Sequence, residues 1–209
     1  MNKDKRVAML TRLRDNNPEP TTELHFTSPF ELLIAVMLSA QTTDKSVNAL
    51  TKNLFEKYKT PQDYIDVDIH LLESDLKRIG LYKNKAKNIK LLSEIIKNKY
   101  GGVVPSSQEE LESLPGVGRK TANVVLSVWF NVPRIAVDTH VDRVSKRLKL
   151  AYNNDSVRQV EEKLMRKIPK NKWSDTHHKM IFFGRYHCTA RNPKCETCRL
   201  KDLCRYPNI

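Results

Sequence analysis

At the centre of the chain, between two predicted helices, lies the stretch Leu114-Pro115-Gly116-Val117-Gly118-Arg119-Lys120-Thr121-Ala122. Pro115 ends the first helix, and the two glycines permit backbone angles that are closed to other residues while leaving no side chains in the way. The backbone N–H groups of the turn and of the next helix's first turn can then point at an anion, which the helix dipole also attracts. With Val117 packed inward, the pattern predicts a helix–hairpin–helix clamp for DNA phosphate over about residues 108–127. The simpler alternative is a helix–helix connection with a glycine cap.

Helical signals continue on both sides of this hairpin, and no convincing strand alternation interrupts them. Ser28-Pro29-Phe30-Glu31 combines an N-cap serine, a proline at the first helical position and a capping-box glutamate, and Ser106 with Glu109 predicts a second capping box. The fold class is therefore predicted to be all-α. Two of the predicted helices begin at Asp44 and Pro61, and the others span about residues 29–40, 69–79, 84–98, 106–114, 119–130, 139–148, 156–168 and 175–186.

A second stretch of the chain weakly resembles the start of the helix that follows the hairpin. Lys85-Ala86-Lys87-Asn88-Ile89 resembles Lys120-Thr121-Ala122-Asn123-Val124, and a glycine-containing turn precedes both. The resemblance indicates either a degenerate second copy of the motif or chance similarity in a chain rich in Lys and Asn.

Two residues near the hairpin are candidates for chemistry. Lys120 begins the helix that follows the clamp, and a lysine amine beside DNA can attack the anomeric carbon of a sugar and form a Schiff base. Asp138 follows the apolar run Ile135-Ala136-Val137 and could stabilise a sugar cation or accept a proton. The alternatives are charge pairing with phosphate for Lys120 and an ordinary helix N-cap for Asp138.

Four cysteines stand near the end of the chain, at Cys188, Cys195, Cys198 and Cys204. A cluster of this kind in a reducing compartment is more often a metal site than a set of disulfides. The spacing contains only one Cys-x-x-Cys pair, whereas structural zinc usually takes two such pairs or a Cys–His mixture. The pattern favours a [4Fe–4S] cluster, with zinc as the alternative.

The charge balance and the hydropathy limit the class of protein. Thirty-seven Lys and Arg against 24 Asp and Glu give a net charge of +13, which favours a polyanionic partner such as nucleic acid. No apolar segment follows the charged N-terminus, and the longest strongly apolar run, 32–38, is too short to span a bilayer. We therefore expect an intracellular protein without membrane association.

These motifs together resemble the endonuclease III branch of the helix–hairpin–helix DNA glycosylases. The likeness rests on 114–126, on Val137-Asp138-Thr139-His140 and on the Cys-x6-Cys-x2-Cys-x5-Cys tail, which matches that family's [4Fe–4S] loop, residues 188–204. It extends to Ser28-Pro29-Phe30-Glu31-Leu32-Leu33 and to Leu38-Ser39-Ala40-Gln41-Thr42-Thr43-Asp44, so that it covers nearly the whole chain.

The resemblance implies two helical lobes with DNA bound between them. A six-helix lobe would span 22–132, and the other lobe would join 1–21 to 133–209 and carry the cluster. By position, Lys120 matches the family's nucleophile and Asp138 its essential aspartate, while Gln41 and Leu81 match the residues that fill the gap and wedge the strands apart. The hairpin residues Gly116, Val117, Gly118 and Arg119 would contact the DNA backbone.

The implied function is base-excision repair by a glycosylase that is also an AP lyase. The expected partner is double-stranded DNA with damaged, oxidised pyrimidines or abasic sites, acted on by a monomer in the cytoplasm of a bacterium, at the nucleoid. One alternative is a non-catalytic DNA-binding protein, which leaves Lys120, Asp138 and the cysteines together unexplained. Another is an adenine-mismatch glycosylase, a family that lacks the nucleophilic lysine at this position and usually carries a further C-terminal domain.

Overall fold

The protein is described here by a computed structural model that covers residues 3–16, 21–204 and 206. The described chain is helical and contains no strand, which confirms the predicted all-α class. In this part of the chain no helix combines the length and apolar character needed to cross a membrane. Its α-helices are α1 (Lys3–Asn16), α2 (Pro29–Leu38), α3 (Asp44–Lys57), α4 (Pro61–Asp66), α5 (Ile69–Leu76), α6 (Tyr82–Tyr100), α7 (Gln108–Glu112), α8 (Arg119–Val128), α9 (Thr139–Arg147), α10 (Val157–Lys167) and α11 (Trp173–Tyr186).

The helix starts follow the capping signals, with two differences. At α2 the Ser28 hydroxyl accepts from the Glu31 N–H as predicted, but the Glu31 carboxylate accepts from the N–H and hydroxyl of Thr27 instead of from Ser28. At α7 the cap is Ser107, which accepts from Glu110, so the predicted box of Ser106 with Glu109 is wrong by one residue. Ser106 and Ser107 are each followed by a glutamate three residues later. The sequence therefore fits a capping box at either serine equally well.

The chain separates into two compact units. One of them, Glu23–Asn131, contains α2 to α8. Its centre is α2, on which every residue from Phe30 to Leu38 is buried, as the all-round apolar sequence predicts. The aromatic ring of Tyr64 is fully buried and packs edge-on against Phe30. Contacts of α2 with α8 and of α6 with α4 and α5 close this core.

The second unit joins Met1–Thr22 to Val132–Ile209. The N-terminal helix α1, which our sequence analysis did not predict, places Met9 and Leu13 in this unit's core. They pack with apolar residues of α9, α10 and α11, among them Val141 and Met180. The assignment of the two units as a hairpin-bearing domain and an iron–sulfur domain stays a prediction.

Candidate functional site

The hairpin turn, residues 114–118, is built by apolar packing within its unit. Leu114 and Val117 are buried, and the Val117 N–H donates to the Leu114 carbonyl at 3.0 Å, which closes the turn. Gly116 adopts φ +77°, and a Cβ there would lie 2.8 Å from Asn88 Nδ2 and 2.9 Å from Met37 Sδ. Glycine is therefore required at 116 both by the left-handed backbone and by the close approach of α6 and α2.

The end of this turn begins α8 without a side-chain cap. Gly118 is the N-cap residue in an extended conformation, and no side chain of the described chain caps the helix there. A Cβ at Gly118 would meet no atom within 4 Å. The first turn of α8 thus presents its N–H groups and the positive end of the helix dipole on an open surface, as an anion clamp requires.

Lys120 is the second residue of α8 and lies exposed beside this open surface. Its neighbour Arg119 is also exposed and lies 3.9 Å from the Glu112 carboxylate on α7. A lysine exposed at a helix start, beside N–H groups that no side chain caps, has the reach and freedom to contact an anionic ligand.

Gln41 and Leu81, the two residues predicted to enter the DNA, share an unusual backbone. Both are exposed, and both adopt a left-handed conformation, with φ +57° at Gln41 and φ +59° at Leu81. Gln41 lies between α2 and α3, whereas Leu81 immediately precedes α6. Left-handed backbone at residues other than glycine is costly, and such positions concentrate at functional loops.

Asp138 lies in the other unit, at the N-terminus of α9. Its Oδ1 accepts from the N–H groups of His140 and Val141, at 2.9 and 2.8 Å. The side chain is half-buried, and both of these bonds go to Oδ1, not to Oδ2. The capping interpretation is therefore confirmed, and it leaves one carboxylate oxygen for chemistry.

The cysteine segment, residues 188–204, places its four cysteines around one cavity. All four thiols are free, and Phe183, Leu200 and Tyr206 line the same cavity. Backbone N–H groups of Leu200 and Tyr206 donate to the sulfurs of Cys198 and Cys204, each at 3.4 Å. Burial raises the pKa of both of these thiols, and the neighbouring cysteines add to the effect.

Two arginines of α9 hold this segment, and the sequence did not point to either. Arg147 is buried and donates to the Cys188 sulfur at 3.2 Å and to the carbonyls of Cys188, Thr189 and Ala190. Its guanidinium also stacks on the Tyr206 ring, 3.7 Å from the ring centre. Arg143 donates to the Cys188 carbonyl at 3.0 Å and to the Gly184 carbonyl at 2.7 Å, and burial lowers its pKa.

The donor set fits an iron–sulfur cluster better than a single metal ion. Four thiols border one cavity, but nowhere in the described residues do three or more Cys, His, Asp or Glu converge on a point where one ion could sit. A zinc ion needs all its ligands at bonding distance from one centre, whereas a cluster spreads its four thiolates over a larger body. N–H donors aimed at three of the sulfurs suit thiolate ligands.

Comparison with known proteins agrees with this arrangement. Residues 34–170 match the family model of the HhH-GPD superfamily base excision DNA repair proteins, and residues 188–204 match the iron–sulfur binding domain of endonuclease III. The chain is 59% identical to endonuclease III of Bacillus subtilis (strain 168) over 196 residues, covering 94% of this chain and 90% of the relative. It is 52% identical to endonuclease III of Escherichia coli (strain K12), covering 99% and 97%.

Solved structures give the same picture. A trapped endonuclease III–DNA covalent intermediate, in an estranged-adenine complex, superposes with a TM-score of 0.96 at 56% identity, covering 100% of this chain and 98% of that one. A non-covalent endonuclease III–DNA complex gives a TM-score of 0.97 at 55% identity, with coverage of 100% and 97%. A thermostable thymine-DNA glycosylase, at 28% identity, gives 0.89 and coverage of 98% and 97%.

Proposed function

The chain belongs to the endonuclease III family of the HhH-GPD superfamily of base excision DNA repair proteins, and on this premise we propose that Lys120 is its nucleophile and Asp138 the assisting carboxylate. The protein is a DNA glycosylase and AP lyase that carries a [4Fe–4S] cluster. The observation that carries the assignment of Lys120 is its place, exposed on the first turn of α8 directly after the uncapped hairpin.

The chemistry needs one amine and one carboxylate. The Lys120 amine attacks C1′ of the damaged nucleotide, the bond from C1′ to the base breaks, and the base leaves with a proton. The sugar ring opens to a Schiff base, which acidifies the C2′ proton. Loss of that proton breaks the bond between C3′ and the 3′ phosphate oxygen, and water then hydrolyses the imine. Asp138 stabilises the sugar cation of the first step with the oxygen that does not cap α9.

The other predicted site residues act on DNA. The hairpin residues Gly116, Val117, Gly118 and Arg119 bind a phosphate through backbone N–H groups and charge, while Gln41 and Leu81 enter the duplex once the damaged nucleotide is extruded. The substrate class that we propose is double-stranded DNA with oxidised pyrimidines or abasic sites. The protein acts as a monomer in the bacterial cytoplasm, associated with the nucleoid through its charge of +13.

Cys188, Cys195, Cys198 and Cys204 would ligate the cluster. When bound, it would crosslink a segment whose described part contains only one short 3-10 turn, Lys201–Leu203, and little buried apolar surface. Arg191, Lys194, Arg199 and Lys201 lie between the ligands and could contact the DNA backbone.

Borohydride trapping on DNA with an abasic site tests the role of Lys120. Wild type is expected to form a covalent adduct, because borohydride reduces the Schiff base, whereas Lys120→Ala forms none. Lys97→Ala, which removes an exposed lysine from the last turn of α6, is the matched control and should trap like wild type. An adduct with Lys120→Ala as abundant as that of wild type would overturn the mechanism.

Asp138→Asn separates the structural from the chemical role of the aspartate. The amide oxygen can still accept from His140 and Val141, so the melting temperature and DNA affinity should hold close to wild type. Turnover should fall by about 10²-fold or more, because the amide carries no charge to stabilise the sugar cation. Equal losses of binding and turnover would contradict a chemical role.

A further inference from the structure

Lys85, on the first turn of α6, is a buried lysine that the mechanism does not use. Only 5% of its surface is exposed, and burial lowers the pKa of its ammonium. Its Nζ donates to the Leu38 carbonyl at 2.9 Å, to the Ala40 carbonyl at 2.8 Å and to the Thr42 hydroxyl at 3.2 Å. Three donors therefore meet three acceptors, which offsets part of the cost of burying the charged amine.

The acceptors of Lys85 bracket Gln41. Leu38 is the last residue of α2, and Ala40 and Thr42 flank Gln41 on either side. The cation thus satisfies carbonyls at the C-terminal end of a helix, where positive charge is favoured. It also contacts both neighbours of a residue held at φ +57°, through the Ala40 carbonyl and the Thr42 hydroxyl.

The same lysine is joined to Leu81 through its backbone. The Lys85 N–H donates to the Leu81 carbonyl at 3.0 Å and closes the first turn of α6 over a residue held at φ +59°. One turn further along this helix, Asn88 packs against Gly116 of the hairpin turn. The start of α6 therefore contacts all three features of this unit that we propose to meet DNA.

We propose that Lys85 is a positioning residue whose ammonium fixes the Gln41 loop to the start of α6, four residues after Leu81, for insertion into damaged DNA. The proposal rests on the DNA roles given above to Gln41 and Leu81. In this role Lys85 contacts neither the DNA nor the reacting atoms. Without the ammonium, the loop around Gln41 keeps the bond from the Thr42 N–H to the Ser39 carbonyl but loses the three contacts that join it and the end of α2 to α6, so insertion becomes less favourable.

The chain supplies a matched control on the same helix. Lys90 is partly buried, and its Nζ donates to the carbonyls of Ile65 and Val67, at the end of α4. Lys85→Met and Lys90→Met each remove one ammonium from carbonyl acceptors at a helix end while keeping most of the side-chain volume. Only the first acts on the Gln41 loop.

The experiment uses duplex DNA with a non-cleavable tetrahydrofuran abasic site opposite 2-aminopurine, whose fluorescence rises when neighbouring residues unstack it. At saturating protein, we expect Lys85→Met to lose most of the fluorescence rise of wild type and to bind this duplex about tenfold more weakly. Lys90→Met should retain both. Circular dichroism and thermal melting compare the folding of the two variants.

A milder variant keeps the test decisive if Lys85→Met does not fold. Thr42→Val removes one acceptor and leaves the lysine in place, so it should lower the fluorescence rise in part and leave the melting temperature near that of wild type. Equal signals from Lys85→Met and Lys90→Met, or from Thr42→Val and wild type, would overturn the proposal.

Two further variants separate this proposal from the function on which it rests. Gln41→Ala and Leu81→Ala should each reduce the fluorescence rise if these side chains enter the DNA. If neither does, the DNA roles of Gln41 and Leu81 are wrong. If both do and Lys85→Met behaves like Lys90→Met, only the positioning role of Lys85 is wrong.

Discussion

The hairpin turn, residues 114–118, and the cysteine segment, residues 188–204, differ in what holds them in shape. The turn is fixed by contact with its own unit: Val117 is buried, and a Cβ at Gly116 would lie 2.8 Å from Asn88 Nδ2 and 2.9 Å from Met37 Sδ. In the cysteine segment, Leu200 is the one buried apolar residue, and polar contacts centred on Arg147 hold the segment. Packing suffices for the first, whereas the second depends on charge and on its ligated cluster.

Removal of a cysteine should have the largest effect, because it takes away the crosslink on which the second region depends. A protein with the [4Fe–4S] cluster is expected to show an absorption band at about 400 nm, and Cys198→Ala is expected to abolish it. The substitution should destabilise the protein by more than about 4 kcal/mol, measured by thermal unfolding. Lys201→Ser, an exposed change in the same segment, is the control. A Cys198→Ala protein that keeps the band and the melting temperature would show that this thiol is no ligand.

Gly116→Ala should have the next largest effect, since it breaks the packing on which the first region depends. The added Cβ must occupy left-handed backbone and displace Asn88 and Met37, for a cost of about 2–4 kcal/mol. Urea unfolding measures that loss, and the absorption band of the cluster should persist in the folded variant. A cost below about 1 kcal/mol would mean that the turn tolerates a side chain here and is not packed as described.

Arg147→Met tests the polar contacts of the cysteine segment without touching a ligand. The substitution leaves the carbonyls of Thr189 and Ala190 without their donor and removes the N–H···S bond to Cys188, for a loss of about 2 kcal/mol. The absorption band should also bleach faster in air. Arg158→Met removes an exposed arginine that pairs with Glu162 and should change stability by less than about 0.5 kcal/mol. Equal bleaching rates in the two variants would contradict the role of Arg147.

The hairpin was accessible from sequence because its determinants are local. Gly116, Val117 and Gly118 carry their constraints in adjacent positions, and the burial of Val117 was predicted correctly. The same holds for the caps at Ser28 and Asp138, where the acceptor and its N–H partners lie two or three residues apart.

Contacts between residues far apart along the chain could not be predicted from the sequence. Arg147 binds residues 41 to 43 positions away, and Lys85 reaches back 43 to 47 positions, so that neither shows a local pattern. In sequence, Lys85 showed only a weak similarity to the Lys120 motif, and both lysines lie on the first turn of a helix, but their surroundings differ. Lys85 is buried among oxygen acceptors, whereas Lys120 is exposed. Helix α1 was missed because seven of its 14 residues are charged, which obscures the apolar positions, Met9 and Leu13 among them, that its described part buries.

Gly118→Ala should change stability least, and it tells apart the two glycines of the turn. Gly118 has φ −95°, and a Cβ there meets no protein atom within 4 Å, so the cost is that of a poorer N-cap, about 1 kcal/mol or less. If a DNA phosphate rests on this surface, the methyl group stands between the phosphate and the N–H donors of α8. Affinity for duplex DNA should then fall about fivefold to tenfold, measured by fluorescence anisotropy at fixed salt. Unchanged affinity would place the phosphate elsewhere, and the open side of Gly118 would then serve only to start the helix.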